Sequence, residues 1–167
     1  MRRLPFIFVL AFVAGCSGKV DQQKFDPLYR AGKAIESATS LGVNILKYRE
    51  LVQDLATEVS IGNDRASSGR EKKMVALFGE ALAAYKDAET VWGTKLKATR
   101  SQLTVSEYPE LGRIVSDYPI NGLGVGPSFE FWPDPAIQVI WQRAGAKVRA
   151  AIAEYTGIPV PDLPEPK

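Results

Sequence analysis

Apolar residues recur every three or four positions along two long stretches of the chain, which predicts two long α-helices. The first begins at a helix start signal, Asp26-Pro27, and contains Leu28, Ala31, Ile35, Ala38, Leu41, Ile45, Tyr48, Val52, Leu55 and Val59. The second contains Met74, Phe78, Ala81, Tyr85, Ala88, Trp92, Leu96, Thr99 and Leu103. Residues 62–69 between them have the Gly, Asn, Asp and Ser content of a loop. The two helices should therefore fold back on each other as an antiparallel hairpin.

A third apolar stripe begins after Asp134-Pro135 and ends at Gly157, and it contains Ala136, Ile137, Ile140, Trp141, Ala144, Val148, Ala151, Ile152 and Tyr155. A helix of this length can cover part of the hairpin. A short helix is expected over residues 110–118, between two prolines. The predicted fold class is all-α, with a helical domain over residues 26–157. A Gly/Pro/aromatic-rich connection precedes the third helix, and a Pro-rich tail follows it over residues 158–167.

The apolar run over residues 4–13 has a different character, because it follows Arg2 and Arg3 and gives way to small residues. A spanning helix needs about 20 apolar residues, so this run is too short to cross a bilayer. The order of charged, apolar and small residues is typical of a secretory signal peptide. The run ends in Val13-Ala14-Gly15-Cys16, which contains the only cysteine of the chain.

Those four residues resemble the signal box of bacterial lipoproteins at all four positions. The resemblance implies that residues 1–15 are removed, that Cys16 carries a diacylglyceryl group, and that its new amino group is acylated. Several acyl chains anchor a protein stably where one does not. Residues 16–25 would form the lipidated N-terminus and tether. Ser17 and Gly18, with no Asp after the cysteine, resemble the signals of lipoproteins sent to the outer membrane, facing the periplasm. An ordinary buried cysteine at a signal-peptide border is the alternative.

Charge and cysteine usage narrow the classes of function. The chain has 21 Lys and Arg against 19 Asp and Glu, and removing Arg2 and Arg3 with the signal leaves it balanced. A balanced charge argues against a nucleic-acid partner, since a basic field supplies most of that affinity. With Cys16 lipidated, no cysteine remains for a disulfide, so packing must hold the fold together.

The chain has no histidine, which excludes histidine-dependent triads and, together with the single cysteine, His or Cys metal sites. Glu50, Asp54 and Glu58 lie along one helical line and are formally a carboxylate cluster. Their spacing of four, with Lys47 and Arg49 nearby, is more typical of a solvated face. We therefore expect no enzymatic activity, no cofactor and no metal site.

One segment has the composition of a binding site. Phe129, Phe131 and Trp132 place three aromatic rings within four residues, next to glycines and prolines. Such rings can stack on sugars or close over an apolar ligand. The competing interpretation is a structural plug for the open end of the helical bundle.

These features predict a membrane-anchored lipoprotein that acts as a non-enzymatic interaction or scaffold module of the cell envelope. Its expected partners are the membrane, through the lipid, and a protein of the cell envelope that contacts the hairpin surface or tip. The alternative is a carrier of small apolar molecules, or a carbohydrate-binding module that uses the aromatic segment. The pattern leaves open the oligomeric state and any attachment of Lys167 to the cell wall.

Overall fold

The computed structural model describes residues 19–159. Within this range the chain forms α1 (Gln22–Leu41), α2 (Ile45–Arg65), α3 (Gly69–Lys97), β1 (Leu103–Thr104), α4 (Leu111–Asp117), β2 (Gly122–Leu123), β3 (Glu130–Phe131) and α5 (Pro133–Thr156). The strands contain only two residues each, so the predicted all-α class is confirmed.

The four long helices form an antiparallel bundle. α1 packs against α2, α2 against α3, α3 against α5, and α5 against α1. Ion pairs give the direction of α3 and α5: Lys95 near the end of α3 pairs with Asp134 at the start of α5, and Arg70 near the start of α3 pairs with Glu154 near the end of α5. Successive long helices therefore run up and down, with short turns after α1 and α2 and a long connection between α3 and α5.

The bundle has two ends of different composition. One end contains the start of α1, the turn of residues 66–68 and the end of α5, and we call it the closed end. The Lys24 ammonium on α1 lies 3.3 Å from the Glu71 carboxylate on α3 there. The open end holds the turn of residues 42–44, the end of α3 and the start of α5. With 29 residues in α3 at about 1.5 Å of rise each, the two ends lie about 40 Å apart.

The predicted single helix over residues 26–59 is wrong, because the chain turns back at Gly42. This glycine has a φ of 95°, which favours glycine, and the Asn44 side chain accepts a hydrogen bond of 2.9 Å from the Lys47 amide to cap α2. The break escapes the apolar pattern because Leu41, Ile45 and Tyr48 keep helical spacing across it. The consequence is a bundle of four long helices within residues 19–159, in place of a long hairpin covered by one helix.

The first helix also begins earlier than Asp26-Pro27 indicates. Asp21 accepts a hydrogen bond of 3.2 Å from the Lys24 amide and caps α1, so that Pro27 lies inside the helix. Val20 and Phe25 are buried. Part of the segment that we expected to be a tether, residues 16–25, therefore belongs to the folded bundle.

The turn at the closed end is shorter than the predicted loop of residues 62–69. α2 continues to Arg65, and Ser68 and Glu71 form a reciprocal capping box at the start of α3. Burial by itself raises the pKa of Glu71, but hydrogen bonds outweigh it and lower the pKa to about 2. The donors are the backbone amides of Ser67 and Ser68, the Ser67 hydroxyl and the Lys24 ammonium.

The predicted inner positions of the stripes form the core. Tyr48, Leu55, Phe78 and Tyr85 are each 0% exposed, which confirms that both stripes face inward at these positions. Leu41 is the exception in the first stripe and is exposed. The helices approach closely at Gly32, where a Cβ atom would overlap the ring of Phe78.

The connection between α3 and α5 is tied down at two places. β3 pairs antiparallel with both β1 and β2, so that Phe131 lies opposite Leu103 and Gly122. α4, close to the predicted helix over residues 110–118, is held to α3 by Arg113, whose guanidinium bonds the buried Asp87 carboxylate. Hydrogen bonding to Asp87 raises the pKa of Arg113, so the guanidinium stays charged. The connection, residues 98–132, is therefore held in place against the side of α3.

Candidate functional site

The predicted lipidation site, Cys16, and its box lie outside the described residues. The first described residue is Lys19, and α1 begins close behind it at the closed end of the bundle. Within residues 19–159, no helix combines the length and the apolar character needed to cross a bilayer.

The aromatic segment splits into residues with different surroundings. Phe131 is 0% exposed in β3, and Phe129 is partly buried and stacked on it with 6.0 Å between ring centroids. Trp132 is 52% exposed. The structure therefore brings Phe129 and Phe131 together as a packed pair and leaves Trp132 outside that pair.

Trp132 lies on a groove of about 350 Å³ at the open end, formed with Lys95, Arg100, Ser101, Pro133, Asp134 and Pro135. The Lys95 ammonium is 2.6 Å from the Asp134 carboxylate, so these two charges satisfy each other. Only the indole ring gives this groove a binding character.

The carboxylates of Glu50, Asp54 and Glu58 follow the outer face of α2. Glu50 accepts a hydrogen bond of 2.9 Å from Lys47, and Asp54 is exposed. In the part of the chain that the structure describes, no three side chains of the metal-binding types come together in a cluster that could hold an ion. Asp54 and Glu58 line a groove between α1 and α2, and Glu58 is half-buried.

Exposed apolar side chains gather at the open end. Among residues 19–159, the large apolar side chains with high exposure are Leu41, Leu46, Leu96, Leu123, Val125, Trp132 and Ile158. Leu41 and Leu46 flank the turn of residues 42–44, Leu96 is near the end of α3, and Trp132 immediately precedes α5. Leu123 and Val125 belong to the connection that leads into α5. Ile158 alone is at the closed end.

Of those that flank the helix ends at the open end, Leu41 is 86% exposed, Leu46 70%, Leu96 60% and Trp132 52%. Scattered apolar side chains are normal on a surface, whereas a concentration at one end of the molecule indicates an interaction site. The apolar periodicity does not reveal this concentration of exposed side chains, because Leu41 and Leu96 occupy positions of the stripes that are predicted to face inward.

A second feature lies within the bundle, where aromatic side chains of three helices meet. The Tyr48 hydroxyl donates a hydrogen bond of 2.7 Å to the Tyr85 carbonyl and accepts one of 3.0 Å from the Trp141 indole. Trp92 packs against both Tyr48 and Trp141, with ring centroids 5.7 Å away in each case. Burial raises the pKa of Tyr48, so this hydroxyl stays protonated. Its hydrogen bonds are satisfied, and this cluster serves the packing of the core.

Comparison of the chain with protein-family models, with curated proteins and with solved structures finds no match.

Proposed function

We propose that the protein is a bacterial lipoprotein, anchored through Cys16, that presents the open end of its helical bundle to a protein partner in the cell envelope. The observation that carries the proposal is the concentration of exposed leucines and Trp132 at that end. We propose that the role is non-enzymatic and that the lipid holds the protein on the outer membrane, facing the periplasm.

The position of α1 supports this arrangement. A lipid on Cys16 would attach close to the closed end, because α1 begins there at Gln22. The exposed apolar side chains would then lie about 40 Å from the point of attachment, at the opposite end of the bundle. An anchored bundle of this kind offers its apolar end to a partner instead of burying it in its own membrane.

The anchor is tested by mass spectrometry of the mature amino terminus and by membrane fractionation. We expect a chain that begins at an acylated Cys16, and a Cys16→Ser variant that is no longer processed at this position. An unmodified Cys16 in the mature protein would refute the anchor.

The contact surface is tested by a photo-crosslinking amino acid placed at Leu46, at the open end, with the exposed Lys72 near the closed end as the matched control. We expect a crosslinked adduct in cells from position 46 and none from position 72. The double change Leu41→Asp and Leu96→Asp should abolish the adduct by adding charge to the apolar surface. An adduct from position 72 alone would place the partner elsewhere and contradict the proposal.

Ligand binding by the aromatic segment remains the alternative, and one observation favours it. Trp132 exposes its indole beside Pro133 and Pro135 in the open-end groove, where a sugar ring has room to stack. Phe131 is buried and Phe129 stacks on it, so this alternative depends on Trp132.

A further inference from the structure

A groove of about 500 Å³ runs between α1 and α5, in the half of the bundle next to the open end. Its lining consists of Lys33, Glu36, Ser37, Thr39, Ser40, Gln138, Trp141, Gln142, Gly145 and Arg149. Small side chains on both helices, Ser37 and Ser40 on α1 and Gly145 on α5, are among the residues that line it. Its volume is in the range of small-molecule sites.

The Tyr85 hydroxyl lies beneath this groove without a partner. Tyr85 extends from α3 across the core and is 0% exposed, and its hydroxyl makes no hydrogen bond of good geometry to any described residue. The polar group next to it is the Thr39 hydroxyl, which already donates to the Ile35 and Glu36 carbonyls. The charges of Glu36 and Arg149 also act on the Tyr85 hydroxyl, and all three side chains line the groove. Burial is the main cause that raises the pKa of Tyr85 to about 12, so the hydroxyl keeps its proton and can donate. Buried polar groups normally have a partner, and the neighbouring Tyr48 hydroxyl does.

The charges at the groove leave one positive charge in excess. Glu36 lies 3.4 Å from the Lys33 ammonium and 3.1 Å from the Arg149 guanidinium, so one carboxylate serves two cations. An added carboxylate can take the place of Glu36 at Arg149 while Glu36 stays with Lys33. The amides of Gln138 and Gln142, on the same helix, carry both donors and acceptors, which suits hydroxyl groups.

We propose that this groove binds a small hydroxylated carboxylate, of the sugar-acid class. The carboxylate binds Arg149 and reaches the Tyr85 hydroxyl once Glu36 moves aside, and the ligand hydroxyls bond Gln138 and Gln142. The polar lining disfavours an apolar ligand, and the single excess charge disfavours a neutral sugar. The lining of this groove includes none of the exposed leucines of the open end and not Trp132, so failure of either proposal leaves the other standing.

The test is a titration of the ¹⁵N-labelled full chain in detergent micelles, followed by nuclear magnetic resonance of the tryptophan indole groups. Trp141 lines the groove, and its signal is assigned by Trp141→Phe. We expect D-glucuronate to shift the Trp141 signal saturably and to leave the Trp132 signal in place. D-glucose should bind at least about tenfold more weakly, since it lacks the charge. No saturable shift with up to about 50 mM glucuronate overturns the proposal.

Three variants locate the ligand. Arg149→Gln should weaken glucuronate binding about tenfold or more, whereas Lys147→Gln should leave it unchanged, because Lys147 on the same helix pairs with Glu80 on α3. Tyr85→Phe should weaken binding about fivefold while the melting temperature stays equal or rises, because it removes an unpaired buried hydroxyl. Equal affinities of Tyr85→Phe and wild type, or equal losses in Arg149→Gln and Lys147→Gln, refute the site.

Discussion

The chain reverses direction between antiparallel helices at both ends of the bundle, but the two turns are stabilised differently. At the closed end Glu71 accepts hydrogen bonds from two amides, a hydroxyl and an ammonium group, and the turn of residues 66–68 contains no large exposed apolar side chain. At the open end the turn depends on Gly42 and Asn44 and is flanked by exposed leucines. Polar satisfaction at one end and exposed apolar surface at the other indicate that the closed end serves stability and that the open end is available for contact.

Truncation of apolar side chains should give the largest difference in the free energy of unfolding, between the core and the open end. Phe78→Ala in the core should lower the free energy of unfolding by about 3–5 kcal/mol, because the ring is fully buried. Leu46→Ala at the open end should cost less than about 0.5 kcal/mol, since this side chain is 70% exposed. Equilibrium denaturation with urea measures both. A large cost at Leu46 would mean that the open end is packed in solution and would remove the contrast.

Two glycines inside the helices differ in how much room their surroundings leave for a side chain. Gly32→Ala should destabilise the protein by about 1–3 kcal/mol, because the new methyl group overlaps the buried Phe78 ring. Gly79→Ala is the matched control: its nearest neighbour would be a Val59 methyl at 3.9 Å. Alanine favours the helix by up to about 1 kcal/mol, so Gly79→Ala should stabilise. Thermal melts of the two variants should therefore move in opposite directions, and a shift in the same direction would contradict the close approach at Gly32.

The smallest expected effect concerns the carboxylates at the two ends. Glu71→Gln should cost about 1–2 kcal/mol near neutral pH, because the charged form accepts the stronger hydrogen bonds. The pKa of Glu71 is lowered from 4.5 to about 2 on folding, so its contribution is complete above the unfolded value and disappears as pH falls between these values. The stability difference between wild type and Glu71→Gln should vanish over that range.

Glu50→Gln is the control at the other end, where the carboxylate is 64% exposed beside Lys47. Its cost should stay below about 0.5 kcal/mol at every pH. Urea denaturation at several pH values between neutrality and acid compares the two variants. A constant cost of Glu71→Gln across the acid range would show that its charge is not the stabilising factor.

Periodicity was sufficient to predict the helical character of the chain and the core residues of α2, α3 and α5. It failed at residues 42–44 because a turn of three residues keeps the apolar spacing in step, so that two helices have the pattern of one. The local signals were present in the chemistry of the turn: Gly42 follows the last residue of α1, and Asn44 precedes the first residue of α2. The strands escaped prediction because two residues are too few to show an alternating pattern.

The candidate surfaces were harder to predict than the helices. Whether an aromatic ring is buried depends on its neighbours in space, and the side-by-side positions of Phe131 and Trp132 gave no means to separate a buried ring from an exposed one. The groove between α1 and α5 is lined by residues of the two helices, such as Ser37 and Gly145, that are more than a hundred positions apart in the chain. Such a gap follows from the path of the backbone, which the apolar pattern does not specify.

The seam between α1 and α5 has a mechanical consequence. The described chain enters and leaves the bundle at the same end, where Tyr29 stacks on Tyr155 with 4.6 Å between ring centroids and the Tyr155 hydroxyl donates to the Gln22 carbonyl. A pulling force applied between these two points acts across the seam and separates α1 from α5 one turn at a time, starting at the closed end. The groove lies further along the same line. A molecule bound there would contact both helices and stop their separation partway along the bundle.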